Sequence, residues 1–397
     1  MEFLRERDPV SLTFTGGTFF MATKIPTLDL VRNYSRIKDE ILEAVHGVLE
    51  TQHFILGPDV SLFEKECEQY LGGVSAVACA SGTDALILAL MSLDIKEGDE
   101  VITTPYSFFA TASCITRLGA VPVFVDVDPA TFNVDMNKVL EATTPRTKVF
   151  LPVHIFGQMA PLEDGMKELT SRGITVVEDA AQAFGAWRSV EGDILRAGAV
   201  GRIGCFSFFP TKNLGGYGDG GMVVSTDTQL ADRLRKLRVH GAGTTYFHDE
   251  VGLNSRLDSL QAAILRVKLR HLEEWNEERR IVAGRYYALF AEKGLLETVQ
   301  PPVELEGNHH IYHQYVVRVP QRDDLQRFLE EEGVVSRVYY PLSLHLQRCF
   351  SFLGYKQGDF PVSERLSKET LALPVFPELS LEEQRRIVAA IGKFYGK

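Results

Sequence analysis

Short apolar runs at 75–80, 100–104, 121–127, 148–153 and 174–177 alternate with longer stretches whose apolar residues recur at helical spacing. Runs that brief are too short for helices, and the intervening stretches are too long for turns. Alternation of this kind folds as a mostly parallel sheet with helices on both faces. A later run at 222–225 extends the sheet, and 229–237 has the spacing of another helix. Two helical patterns come first. One carries Ile37, Ile41, Leu42, Val45 and Leu49, and the other follows the Gly57-Pro58 turn with Val60, Phe63 and Tyr70.

The grammar changes near residue 250. Leu257, Leu260, Ile264, Val267, Leu272 and Trp275 form a long amphipathic stripe, read as core packing. Beyond it, a strand is expected over 312–319, a helix over 323–332, a strand over 335–340 and a helix over 381–394. The chain of 397 residues is too long for one core. The expected division is therefore a large α/β domain over 21–250, whose N-terminal helix packs on the second unit, and a smaller α+β domain over 251–397. Residues 1–20 carry charges of both signs and no clean apolar stretch, which speaks against a signal peptide. They are read as an extension without assigned function, with Met21 as a candidate start.

Composition narrows the function. Acidic residues outnumber basic ones, 53 to 42, for a net charge of −11. That balance opposes a nucleic-acid grip, so any phosphate must be held by local donors. No run approaches the roughly 18 apolar residues of a membrane span. Cys67, Cys79, Cys114, Cys205 and Cys349 are scattered without CxxC spacing, the usage of a reducing cytoplasm.

The chemistry is concentrated in a few segments. In Phe206-Ser207-Phe208-Phe209-Pro210-Thr211-Lys212-Asn213-Leu214-Gly215-Gly216 a lysine follows an apolar strand and precedes a glycine-rich turn. A loop lysine is ordinarily a solvated surface group. At the mouth of a sheet it is partly desolvated, which lowers its pKa and suits covalent chemistry on a carbonyl. Upstream, Val176-Val177-Glu178-Asp179-Ala180-Ala181-Gln182 ends a buried strand in acid, where open α/β sheets bind ligands. Asp179 could cap the next helix or hold a pyridinium nitrogen protonated. Glu178 should point the other way along the strand. Gln182 is placed to reach a ring hydroxyl.

Ala80-Ser81-Gly82-Thr83-Asp84-Ala85 joins a strand to a helix, where small residues expose amides to a phosphate or simply cap the helix. Ser207 could add a hydroxyl there. One of Phe108 and Phe109 could stack on a flat ring, and spacing does not choose between them. Gly216-Tyr217-Gly218-Asp219-Gly220-Gly221 matches GxGxxG, but an apolar strand pattern follows instead of a helix, so a dinucleotide reading fails. His309, His310 and His313 lack a matching carboxylate cluster, and no metal is assigned.

Taken together these segments resemble the DegT/DnrJ/EryC1/StrS family of sugar aminotransferases, enzymes of fold type I. The resemblance runs from about Ile25 onward and is carried in order by Phe54-Ile55-Leu56-Gly57-Pro58, Ser81-Gly82-Thr83, Glu178-Asp179-Ala180-Ala181-Gln182, Ser207 through Lys212, Gly218-Asp219-Gly220-Gly221, His240-Gly241 and Gly252-Leu253-Asn254-Ser255-Arg256. It implies a seven-stranded, mostly parallel sheet with flanking helices, a smaller C-terminal domain, and pyridoxal 5′-phosphate as cofactor.

Lys212 then resembles the residue that bonds to the cofactor and later shuttles a proton. Asp179 is similar to the pyridine-nitrogen partner, Gln182 to the ring-oxygen contact, and Phe108 to the stacking aromatic. Gly82, Thr83 and Ser207 resemble the phosphate cradle. Asn254 resembles a phosphate ligand arriving from a neighbouring subunit, with Arg256 beside it near substrate, which implies a homodimer with shared sites. Dehydratases of the family carry His in place of the lysine, so Lys212 implies transamination, with glutamate as donor and a nucleotide-linked keto sugar as acceptor.

The segment Val338-Tyr339-Tyr340-Pro341-Leu342-Ser343-Leu344-His345 is more similar to enzymes aminating C3 of a UDP- or dTDP-linked sugar, with Tyr340 and His345 as candidate sugar contacts. The alternatives are C4 amination of a 4-keto-6-deoxy sugar, amination of a keto-cyclitol, and a cofactor-binding regulator without catalysis.

Overall fold

The computed structural model describes residues 24–244 and 246–397. The expected extension over 1–20 and the start at Met21 lie outside the described residues.

A seven-stranded sheet is the frame. Its strands are β1 (Ser75–Cys79), β2 (Glu100–Thr103), β3 (Val121–Phe124), β4 (Thr147–Phe150), β5 (Thr175–Asp179), β6 (Ile203–Ser207) and β7 (Gly221–Ser225). They lie in the order β1-β7-β6-β5-β4-β2-β3. Only β7 is antiparallel, to β1 and to β6, so β1, β5 and β6 all end on one edge. Those three ends position the site.

The two-residue period of the strands separates the core into layers. Ala76, Ala78, Phe206, Met222 and Val224 face Phe63, Leu265 and Leu272 on one side. Val77, Cys79, Ile203, Cys205 and Val223 face the helices Gly82–Ser92 and Thr228–Leu237 on the other.

The helix Ser259–Glu292, 34 residues long, belongs to two cores. Its first half gives Ala262, Leu265 and Leu272 to the sheet layer. Its second half gives Val282, Ala283, Tyr286 and Phe290 to a separate cluster with Tyr315, Val317, Leu371, Leu373 and Ile387. The N-terminal helix Leu30–Thr51 packs Ile37 and Ile41 against Ile264, Val267 and Trp275 of this long helix, while Ile25 enters the C-terminal cluster.

Two expectations are corrected here. The strand at 312–319 is confined to Tyr315–Arg318, and it pairs with Thr370–Leu373, which no period in the sequence singled out. Residues 335–340 form no strand; Val334 and Arg337 make only isolated bridges to Ile25 and Ala372. The reason lies in the side chains. Val338, Tyr339 and Tyr340 all line one cavity, and a pleated strand would send alternate residues to opposite faces.

Candidate active site

Asp179 is the last residue of β5 and is 5% exposed. Its Oδ2 accepts from Thr111 Oγ1 at 2.7 Å and its Oδ1 from the amide of Ala181 at 3.2 Å. Burial pushes this carboxyl up, while the Thr111 hydroxyl, the Ala181 amide and the Lys212 charge hold it down. Glu178 faces the opposite side of the sheet, as expected. It accepts from the amides of Gly198, Val200 and Gly201 at 2.8, 2.8 and 2.6 Å and meets His154 Nε2 at 2.7 Å. The Nδ1 of His154 accepts from the amide of Ala160 at 3.0 Å, so the ring proton sits on Nε2 and is given to Glu178.

Lys212 follows β6 on a tight loop. The amide of Lys212 donates to Phe209 O and that of Gly216 to Phe208 O, each at 2.8 Å. A Cβ on Gly215 would lie 2.5 Å from Pro210 O, so the turn closes only around glycine. Lys212 is half-buried on the wall of a cavity of about 690 Å³ that Asp179 also lines. Burial lowers the ammonium to about 8, against the opposing pull of Asp179. About a tenth of the amine is therefore neutral at pH 7, far more than for a solvated lysine.

The third side of the cavity is a helix N-terminus. Ser81 caps the helix Gly82–Ser92 by accepting from the amide of Asp84 at 3.1 Å. The amides of Gly82 and Thr83 have no partner among the described residues. A Cβ on Gly82 would fall 2.6 Å from Ser207 Cβ, so only the absence of a side chain lets Ser207 pack this closely on the helix start. Gly82, Thr83 and Ser207 all line the cavity.

Of the two adjacent aromatics, Phe108 lines the cavity, 57% exposed. Phe109 stacks on Phe350 instead. Gln182 lines the cavity with its amide oxygen accepting from Phe156 N at 2.7 Å and its Nε2 donating to Tyr340 Oη at 2.9 Å. Tyr340 is thus brought to the cavity wall.

Other expected residues lie elsewhere. His345, expected as a sugar contact, is not on the cavity wall within one chain. The amide of Leu344 is tied to Pro105 O, and the His345 ring turns inward to Glu364 at 3.1 Å and edge-on to Phe360. Asn254 is exposed and Arg256 half-buried, and neither lines the cavity within one chain. The GxGxxG match runs into β7, not into a helix. His309 stacks on Trp187, His310 Nδ1 accepts from Tyr312 N, and His313 Nδ1 meets Asn213 Oδ1.

Sequence reasoning missed Ser107, Thr111, His313, Gln314 and Tyr339. Four of them line the cavity, and Thr111 reaches it through Asp179. The only local signal for the first pair was hydroxyls four residues apart at a helix start.

The arrangement fits a phosphorylated pyridine aldehyde. Free amides and a serine hydroxyl suit a phosphate dianion, a buried carboxylate suits a ring N–H, an exposed phenyl suits a ring face, and a desolvated amine suits the carbonyl. The volume is that of a pocket for small ligands.

Comparison with known proteins agrees. The profile of the DegT/DnrJ/EryC1/StrS aminotransferase family matches residues 35–392. The chain is 47% identical over 371 residues to a protein of Geobacillus stearothermophilus named pleiotropic regulatory protein, covering 94% of this chain and 98% of that one. It is 43% identical over 369 residues to a UDP-N-acetyl-3-dehydro-alpha-D-glucosamine 3-aminotransferase of Acidithiobacillus ferrooxidans, covering 93% and 97%. The crystal structure of S. venezuelae DesV in complex with a ketimine intermediate superposes with a TM-score of 0.90 at 36% identity, covering 95% of this chain and 100% of that one. The chain belongs to the DegT/DnrJ/EryC1/StrS aminotransferase family and is a fold-type-I, pyridoxal-phosphate-dependent transaminase.

Proposed function

We propose that the enzyme moves an amino group from glutamate to the C3 keto group of a UDP- or dTDP-linked hexose. Its product would serve amino- and deoxysugar biosynthesis, feeding a polysaccharide or an antibiotic. The observation that carries this reading is the meeting of Lys212 and Asp179 on one cavity whose wall also contains a helix N-terminus. The C3 assignment is supported by the name of the 43% identical relative. A second relative, from Streptomyces venezuelae and named dTDP-3-amino-3,4,6-trideoxy-alpha-D-glucose transaminase, is 38% identical over 370 residues. A purely regulatory role would leave the desolvated amine without a task.

Pyridoxal phosphate supplies a carbonyl that bonds to amines and a ring that takes up electron density. The protein supplies the rest. Gly82 and Thr83 amides, with Ser207, would hold the phosphate. Asp179 would keep the ring nitrogen protonated, and Phe108 would cover a ring face. Gln182, braced by Tyr340, would serve the ring oxygen. Lys212 would be the base that moves the proton at the reacting carbon, a role commonly worth about 10²–10⁴-fold.

The enzyme is further proposed to work in the cytoplasm; among the described residues no helix is long and apolar enough to cross a membrane. A homodimer is supported by exposed apolar residues that a second copy would cover, notably Tyr246 (90%), Phe247 (72%) and Val251 (90%). Asn254 and Arg256 would enter the partner's cavity. Mass spectrometry of products from a panel of 3-keto and 4-keto nucleotide sugars tests the reading. Amination confined to 4-keto substrates, or turnover of a free cyclitol as fast, would replace it.

A further inference from the structure

Asp179 does not stand alone in its pocket. Thr111, fully buried on the helix Phe109–Arg117, places its Oγ1 2.7 Å from Asp179 Oδ2. Ser107, also buried, places its Oγ 2.8 Å from the same Thr111 Oγ1. A hydroxyl has one proton to give. Thr111 gives its proton to the carboxylate, so Ser107 must donate to Thr111.

We infer that Ser107 and Thr111 form a hydroxyl chain that sets the orientation and charge of the Asp179 carboxylate toward the cofactor's ring nitrogen. The inference rests on the reading of Asp179 given above and extends it to two residues that act through it, Thr111 behind the cavity wall and Ser107 in it. Each hydroxyl polarises the next, and the chain ends on a buried anion, where a charge-assisted hydrogen bond is strong. With Oδ2 committed to Thr111 and Oδ1 only lightly engaged by Ala181 at 3.2 Å, Oδ1 keeps a lone pair for the ring N–H. The amide of Thr111 also donates to Phe108 O at 3.1 Å. The same residue thereby ties the ring-stacking aromatic to the acid.

The chain has a measurable consequence. Thr111→Val keeps the shape and removes the hydroxyl. Apoenzyme carrying it should bind pyridoxal phosphate about tenfold more weakly, the scale of one hydrogen bond to a charged group. The pH midpoint of the holoenzyme's visible band should move, because the acid has lost its donor. The titratable groups around Asp179 (Lys212, Cys114, Cys205 and Tyr340, with His154 across the sheet) are not altered by the substitution. Thr111→Ser should restore both readouts, and Ser107→Ala should shift them in the same direction by less.

Asp179→Asn is the control for the underlying reading. If Asp179→Asn weakens cofactor binding while Thr111→Val matches the unmodified protein in affinity and midpoint, the hydroxyl chain is inert and the inference is overturned. If Asp179→Asn has no effect either, the assignment of Asp179 to the ring nitrogen itself fails. Thr111→Ser behaving like Thr111→Val would mean that packing, not the hydroxyl, matters, and would also overturn the inference.

Discussion

Glu178 and Asp179 are consecutive carboxylates on β5, and they face opposite sides of the sheet with opposite fates. Glu178 is sealed among three amides and the His154 imidazole. Asp179 opens on the cavity and accepts from one hydroxyl and one amide. One residue of strand pleat separates a structural acid from a functional one. Exchange of the two by a one-residue slip is blocked by pairing in register, with Asp179 opposite Cys205 of β6.

That contrast gives the first prediction. Glu178→Gln should lower the unfolding free energy by ~3 kcal/mol, because an amide group would face donors that an anion now satisfies. Asp179→Asn should leave thermal stability close to unchanged and abolish turnover. Thermal melts and glutamate half-reaction rates on both variants check this. The reverse pattern would mean that the roles of the two acids have been exchanged.

Lys212 is expected to be indispensable. Lys212→Ala should remove the visible absorbance of the holoenzyme and reduce turnover by at least the roughly 10²–10⁴-fold attributable to a positioned base. Retention of both would falsify the assignment of the covalent role to this residue.

The lowered ammonium of Lys212 sets a pH dependence. Its folded value, about 8, lies below the ordinary lysine value because burial disfavours the charge. The amine attacks only when neutral, so cofactor uptake by apoenzyme should accelerate as pH rises through about 8 and level off above it. Lys268 is also lowered to about 8, but it donates to Gly215 O and forms no visible band. Stopped-flow absorbance therefore isolates Lys212. A midpoint near the ordinary lysine value of about 10.4 would show that the amine is solvated.

Much of this site was legible before the fold. Asp179 and the Gly82 junction stand at strand ends, and a strand end is a local pattern that the parallel-sheet rule turns into a location. Lys212 was legible for the same reason, through the strand before it and the glycines after it. The failures share a different cause. His345 reads as a sugar contact by motif, yet its orientation is decided by Glu364 and Phe360. The strand Thr370–Leu373 exists because Tyr315–Arg318 needs a partner, a requirement set by residues 52 to 58 positions away in sequence. Thr111 meets Asp179 only because their two elements end on the same edge of the sheet. Orientation and long-range pairing are tertiary, and no window of sequence carries them.

Shared active sites give the last prediction. If Asn254 and Arg256 act in the partner's cavity, the Lys212→Ala chain and an Asn254→Ala/Arg256→Ala chain fail at different halves of the same site. Each homodimer should be inactive. Mixed and allowed to exchange subunits, they form heterodimers with one cavity that carries both defects and one that carries neither. Random pairing makes about half the dimers mixed, so about a quarter of the sites, and of the unmodified turnover, should return. Absence of any recovery, with subunit exchange verified by native mass spectrometry, would place Asn254 and Arg256 in their own chain's structure instead. Neither residue lines the cavity within one protomer, which makes recovery the expected result.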